Sequence, residues 1–146
     1  MDKAAAGNIV LMSIHPEFVD AILAGTKKVE FRKTKFASKV SHVVVYATHP
    51  VKKLTCIFEV KKVTIDHPVN LWSTYSKVSG ICKDRFLSYY DSYVYGVAIE
   101  VGKLQKLDKQ LKLSELGCSI SPPQSYQYLD RKIFEQLKEI SLAVSR

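Results

Sequence analysis

The apolar positions at the start of the chain change period twice within thirty residues. Asn8 to Ile14 is a short, nearly continuous apolar run ending in Ser-Ile-His-Pro, and it predicts a first strand. Pro16 suits the first position of a helix, with His15 as the cap and Glu17 near the positive helix end. Phe18, Ala21 and Ile22 then recur at helical spacing, flanked by Val19 and Leu23, until Gly25 stops the helix. So short a helix cannot stand alone and must lie on a sheet. From Lys28 to Lys33 the period becomes two. In this second strand Val29 and Phe31 should point into the core, with Lys28, Glu30 and Arg32 on the opposite face.

Ser41 to Ala47 is β-branched and aromatic, and predicts a third strand. Val51 to Ile65 predicts a long fourth strand with Leu54, Cys56, Phe58 and Val60 on one face. Its phase slips at Lys61-Lys62, which a bulge would explain. Asn70 to Tyr90 reads as two short helices broken at Ser79-Gly80, with Asn70 as the first cap. Asp91 to Val101 alternates again as a strand, and Leu111 to Gly117 fits one helical turn. Pro122-Pro123 cannot lie inside a sheet. Asp130 to Ala143 is an amphipathic helix with Ile133, Leu137 and Ile140 on one face. The expected fold is a mixed α+β domain over residues 1–146. It has a small, barrel-like sheet of about five to six strands, with the C-terminal helix 130–143 packed on it.

Composition adds a partner class. The net charge is +8 and the pI near 9.4, a balance that favours a polyanion. Cys56, Cys82 and Cys118 are isolated, which argues against a disulfide framework and a zinc knuckle. His15, His42, His49 and His67 have no ligand spacing, so neither metal nor cofactor is expected. No apolar stretch is long enough to span a membrane, and the N-terminus reads as mature sequence, so a cytoplasmic location is expected. A monomer is expected, although the C-terminal helix could also serve as a subunit contact.

The charge is densest in Gly25–Phe36, GTKKVEFRKTKF, where Lys27, Lys28, Arg32, Lys33 and Lys35 surround a single acid, Glu30. Together with Lys39 these cations form a candidate phosphate patch, and Arg32 has the side chain best able to grip a phosphate with two parallel bonds. Lys27 is either a solvated turn lysine or a donor in a cleft, and nearby cations would depress its pKa toward that of a general base. Glu30 either balances Lys28 and Arg32, accepts from the exocyclic amine of a base, or acts as a base toward water. Tyr126 and Tyr128 share a strand parity after the diproline and could stack on bases. Ser13, Thr48 and Ser79 are hydroxyls near element ends, without a triad pattern.

The segments IHPEFVDAILAGTKKVEFRK, VYATHPVKKLTCIFEV, LWSTYSKVSGICKDRF and ISPPQSYQYL together resemble the ASCH domain of the PUA-like superfamily. That resemblance implies a strongly curved barrel, an RNA- or nucleotide-related role, and a cleft between the barrel and the first helix. Some relatives carry the label of transcriptional regulator. One branch of the superfamily comprises bacterial amidohydrolases that deacetylate N4-acetylcytidine. Gly25, Lys27 and Arg32 match that branch's motif, but Glu30 stands where its nucleophilic threonine belongs. No acid lies between Asp66 and Asp84 to supply its glutamate. The expected function is therefore a module that binds RNA, DNA or a modified nucleotide, RNA ahead of DNA. A metal-independent hydrolase of a nucleoside or RNA, using Lys27 and Glu30, is the alternative. A protein-interaction domain is a third reading.

Overall fold

The structure is a computed structural model that describes residues 7–116 and 120–142. The expectations for the extreme N-terminus, Gly117 and Cys118 lie outside the described residues. Strand β1 (Asn8–Ile14) leads into helix α1 (Pro16–Ala24), which ends at Gly25 with φ 84°. Strands β2 (Val29–Arg32), β3 (Val40–Ala47) and β4 (Lys53–Asp66) follow. Helices α2 (Pro68–Tyr75) and α3 (Lys83–Tyr89) flank a 3-10 turn at Ser76–Val78. Strand β5 (Gly96–Leu111), strand β6 (Tyr126–Leu129) and helix α4 (Arg131–Leu142) complete the order.

The six strands form one sheet in the order β2-β5-β4-β3-β1-β6. Only β1 and β3 pair in parallel. This corrects the expected barrel: β2 and β6 are edges with no ladder between them, so the sheet is open. The local reason lies in the edges. Each is only four residues long, and Pro122-Pro123 ahead of β6 lack the N–H groups that would extend a ladder. Side chains bridge the gap instead: the Arg32 guanidinium, at the end of β2, donates to Ser125 Oγ just before β6 (2.7 Å).

Strand β1 is buried on both faces, which explains its unbroken apolar run. Ile9 and Leu11 pack with Phe134 and Leu137 of α4, whereas Val10, Met12 and Ile14 pack with Val19 and Ile22 of α1. Leu54, Phe58, Val44 and Ile22 are core, as their pattern predicts. A third cluster joins Val29 and Phe31 of β2 to Leu71, Tyr75, Phe86 and Tyr90. The β4–β5 register shifts between Phe58 and Val60 and again between Val60 and Lys62, at the expected bulge.

Several boundaries differ from the pattern, and the largest difference is that β5 runs on to Leu111, well past the expected end at Val101. His67, not Asn70, caps α2: its ring Nδ1 accepts from the Val69 N–H (3.2 Å). Strand β5 begins at Gly96 rather than Asp91, because Ser92 adopts φ 68° and the Tyr93 N–H turns back to the Tyr90 carbonyl. Alternation alone could not separate that turn from a strand.

Candidate functional site

Helix α1, strand β2 and helix α3 meet around a cavity of about 570 Å³. Gly25 reverses the chain, and the Lys27 N–H then donates to the Ala21 carbonyl. This turns the Lys27 side chain inward, where it is only 2% exposed. Gly80 makes room for it. A Cβ on Gly80 would stand 2.6 Å from Lys27 Cβ, and φ is +63° there. Only glycine meets both demands without strain.

The Lys27 ammonium donates to the Ser79 carbonyl (2.6 Å) and stands 3.9 Å from Glu30 Oε1. It also lies 4.8 Å from the Phe18 ring centre and 5.4 Å from that of Phe31. Burial lowers its pKa, and the Glu30 carboxylate opposes that shift. Glu30, 5% exposed, receives Arg32 Nη1 on its other oxygen at 3.0 Å. The same Nη1 donates to the Ser13 carbonyl (3.4 Å). The Arg32 carbonyl in turn accepts from the Tyr90 hydroxyl (2.7 Å). The buried Lys27 and Glu30 and the half-buried Arg32 therefore form a row, cation–anion–cation, along the cavity floor.

Toward the rim the Lys33 ammonium lies over Tyr89 and Tyr93, 4.5 and 5.0 Å from their ring centres. Burial holds the Tyr89 hydroxyl above its usual range, so it stays protonated. Arg85 pairs with Glu17 (2.9 Å) and stacks on Phe18. Ser13, His15, Thr48 and Ser125 supply polar lining. Lys27, Arg32, Lys33 and Arg85 are four lining cations, and Glu30 is the one lining carboxylate.

The structure thus brings Lys27, Glu30, Arg32 and Lys33 together at one cavity and sends the other expected residues elsewhere. Lys28 is exposed away from it. Lys35 and Lys39 line a separate groove. Tyr126 packs against Phe36 (5.0 Å), and the Tyr128 hydroxyl accepts from the Ser38 N–H (3.1 Å). These two tyrosines fasten the loop after β2. The face of β2 expected to meet solvent is the cavity floor. Ser13 and Thr48, noted only as hydroxyls near element ends, line the cavity, whereas Ser79 lends Lys27 only its carbonyl and keeps its hydroxyl within its own turn. Arg85, Tyr89, Tyr93 and Ser125 carried no local signal, although the stiff diproline before Ser125 marked that segment as held.

Among the described residues, no group of three or more His, Cys, Asp or Glu gathers as a metal site. No helix of the described residues is long and apolar enough to cross a membrane.

Residues 12–105, which include nearly every cavity residue, match the ASCH domain. The chain belongs to the ASCH domain family. It is 26% identical over 140 residues to the ASCH domain-containing ribonuclease of Zymomonas mobilis, taking in 92% of this chain and 93% of that one. The crystal structure of ASCH from Zymomonas mobilis superposes with a TM-score of 0.85 at 25% identity, covering 92% and 96% of the two chains. The chain is also 31% identical over 121 residues to large ribosomal subunit protein uL22 of Ureaplasma parvum. That match takes in 82% of this chain but 39% of the uL22 protein, so the chain spans about two fifths of that relative's length.

Proposed function

We propose that the cavity cleaves RNA, with the RNA's own 2′-hydroxyl as the nucleophile. The observation that carries this reading is the largely buried Lys27–Glu30–Arg32 row on the floor of a cavity whose described lining holds four cations and one carboxylate. A site so charged favours an anion, and a phosphodiester brings both the anion and the adjacent hydroxyl. The ribonuclease relative from Zymomonas mobilis supports the same class of reaction.

Each group then has a role. Lys27, with its pKa lowered by burial, takes the proton of the 2′-hydroxyl. The 2′-oxygen forms a bond to phosphorus and the bond from phosphorus to the 5′-oxygen breaks, leaving a 2′,3′-cyclic phosphate. The departing 5′-oxygen takes a proton from solvent, and Lys27 later returns its own proton to solvent. Arg32 and Arg85 oppose the charge that builds on the phosphate oxygens. Ser125 Oγ already accepts from Arg32, which leaves its own proton for a phosphate oxygen. Glu30 balances one of the two floor cations and holds both in place. Tyr89 and Tyr93 offer faces to an unstacked base.

A second reading, retention of RNA without turnover, draws on Glu30. Both its oxygens face cations, so the carboxylate is engaged in balancing charge. One experiment separates the two. RNA and an otherwise identical strand with a single 2′-deoxy position are incubated with the protein, and product masses are read. Cleavage is expected only where the 2′-hydroxyl is present, giving a cyclic phosphate, and is expected to disappear in Lys27→Met. Cleavage at the deoxy position would sink the mechanism. Binding without products would leave the second reading.

A further inference from the structure

The loop after β2, residues 33–39, has two sides. Lys33 and Thr34 line the cavity. Lys35, Phe36, Ser38 and Lys39 line a second groove of about 330 Å³. Its far wall is β4 beyond the register shift, where Lys61, Lys62, Val63 and Ile65 all face it. In a regular strand Lys61 and Lys62 would point to opposite sides, and the bulge is what brings both to one groove. Among the described residues the groove has four lysines and no acid. None of these lysines joins an ion pair among the described residues. Val63 and Ile65 remain 39% and 50% exposed beside them. The groove therefore combines unbalanced positive charge with an apolar floor, and a single loop separates it from the cavity.

Resting on the reading of the cavity as an RNA site, we infer that this groove is a track for the same RNA chain. A single strand with its reacting phosphate above Lys27 crosses the 33–39 loop. It then lays its backbone along Lys35, Lys39, Lys61 and Lys62, with bases or riboses against Phe36, Val63 and Ile65. Flexible lysines suit successive phosphates as point charges, and each neutralised phosphate releases counterions. The substrate class is then a single-stranded oligonucleotide rather than a nucleoside or a dinucleotide.

The test compares a dinucleotide with a single-stranded RNA of roughly twelve nucleotides, within the range of known single-strand site sizes. Binding and cleavage are measured for the unaltered chain and for the double variant Lys61→Gln, Lys62→Gln, across a salt series. The long RNA is expected to be favoured over the dinucleotide, and that preference should shrink in the double variant. The slope of log K against log salt for the long RNA should fall by about 0.7 per lysine removed, about 1.4 for the pair. Equal preference and equal slopes in both proteins would overturn the groove while leaving the cavity reading standing. Failure of the unaltered chain to bind or cut either RNA would overturn the cavity reading itself. Displacement of the long RNA by polyglutamate as readily as by unlabelled RNA would also overturn the inference, because the groove would then take any acidic polymer. Both lysines are exposed, so an unchanged unfolding midpoint confirms that the variant keeps its fold.

Discussion

The cavity and the groove are both basic and share one loop, yet their lysines do opposite things. Lys27 is buried, its ammonium held by a carbonyl, a carboxylate and two rings. Lys61 and Lys62 are exposed and make no ion pair among the described residues. A solvated ammonium acts as a point charge. A desolvated one is poised to lose its proton and act as a base. On the proposed reading, burial, not residue type or local charge density, separates the chemistry from the grip.

The sharpest way to break this comparison is Lys27→Met. Methionine can fill the space between Phe18 and Phe31, and the remaining Glu30–Arg32 pair is balanced. Cleavage should fall by about 10²–10⁴-fold, the usual worth of a general base, with little change in the unfolding midpoint. Single-turnover assays beside thermal melts would check it. A comparable loss from Lys61→Gln would erase the distinction between the two regions.

Glu30→Gln should do the reverse and act chiefly on stability. It leaves the buried Lys27 and the half-buried Arg32 without their counter-charge, a loss of about 3–5 kcal/mol. Inorganic phosphate should restore part of it by binding the folded state. Urea titrations with and without phosphate read both effects. Gly80→Ala comes next, with a cost of more than about 1 kcal/mol from its left-handed φ and a weaker Lys27. Cleavage should fall although residue 80 itself carries no chemistry.

The pH dependence is a smaller effect with a definite sign. The folded state holds Lys27 below its ordinary value of 10.5. Between the lowered value and 10.5 the unfolded chain binds more protons, so stability rises with pH across that window. Below the window the full cost of the buried charge is present. Cleavage by neutral Lys27 should climb through the same lowered value. Urea midpoints over an alkaline series, compared with Lys27→Met, isolate this slope. The smallest change belongs to Lys35→Gln alone, which should lower the salt slope for long RNA by about 0.7 and leave stability unaltered.

Much of the fold was legible because burial is written as period. The helix Pro16–Ala24 and its glycine stop, the core positions Val44, Leu54 and Phe58, and the bulge near Lys61 all follow from spacing. The open sheet did not. Alternation in Val29–Arg32 predicts a strand, and Tyr126 and Tyr128 share a strand parity, but neither pattern says whether two short edges meet through a ladder or through the side chains of Arg32 and Ser125.

The site divides in the same way. The sequence by itself determined that positive charge concentrates after Gly25 around one acid, because composition and order are local quantities. Only the tertiary structure decided that Lys27 and Glu30 are buried while Lys28, Lys35 and Lys39 are exposed. It also decided that Arg85, Tyr89 and Ser125 complete the cavity from distant parts of the chain, and that the Ser79 carbonyl holds Lys27. The physical reason is that desolvation depends on everything packed around a group. That shell is assembled from α1, β2, α3 and the segment before β6, which no local window of sequence contains.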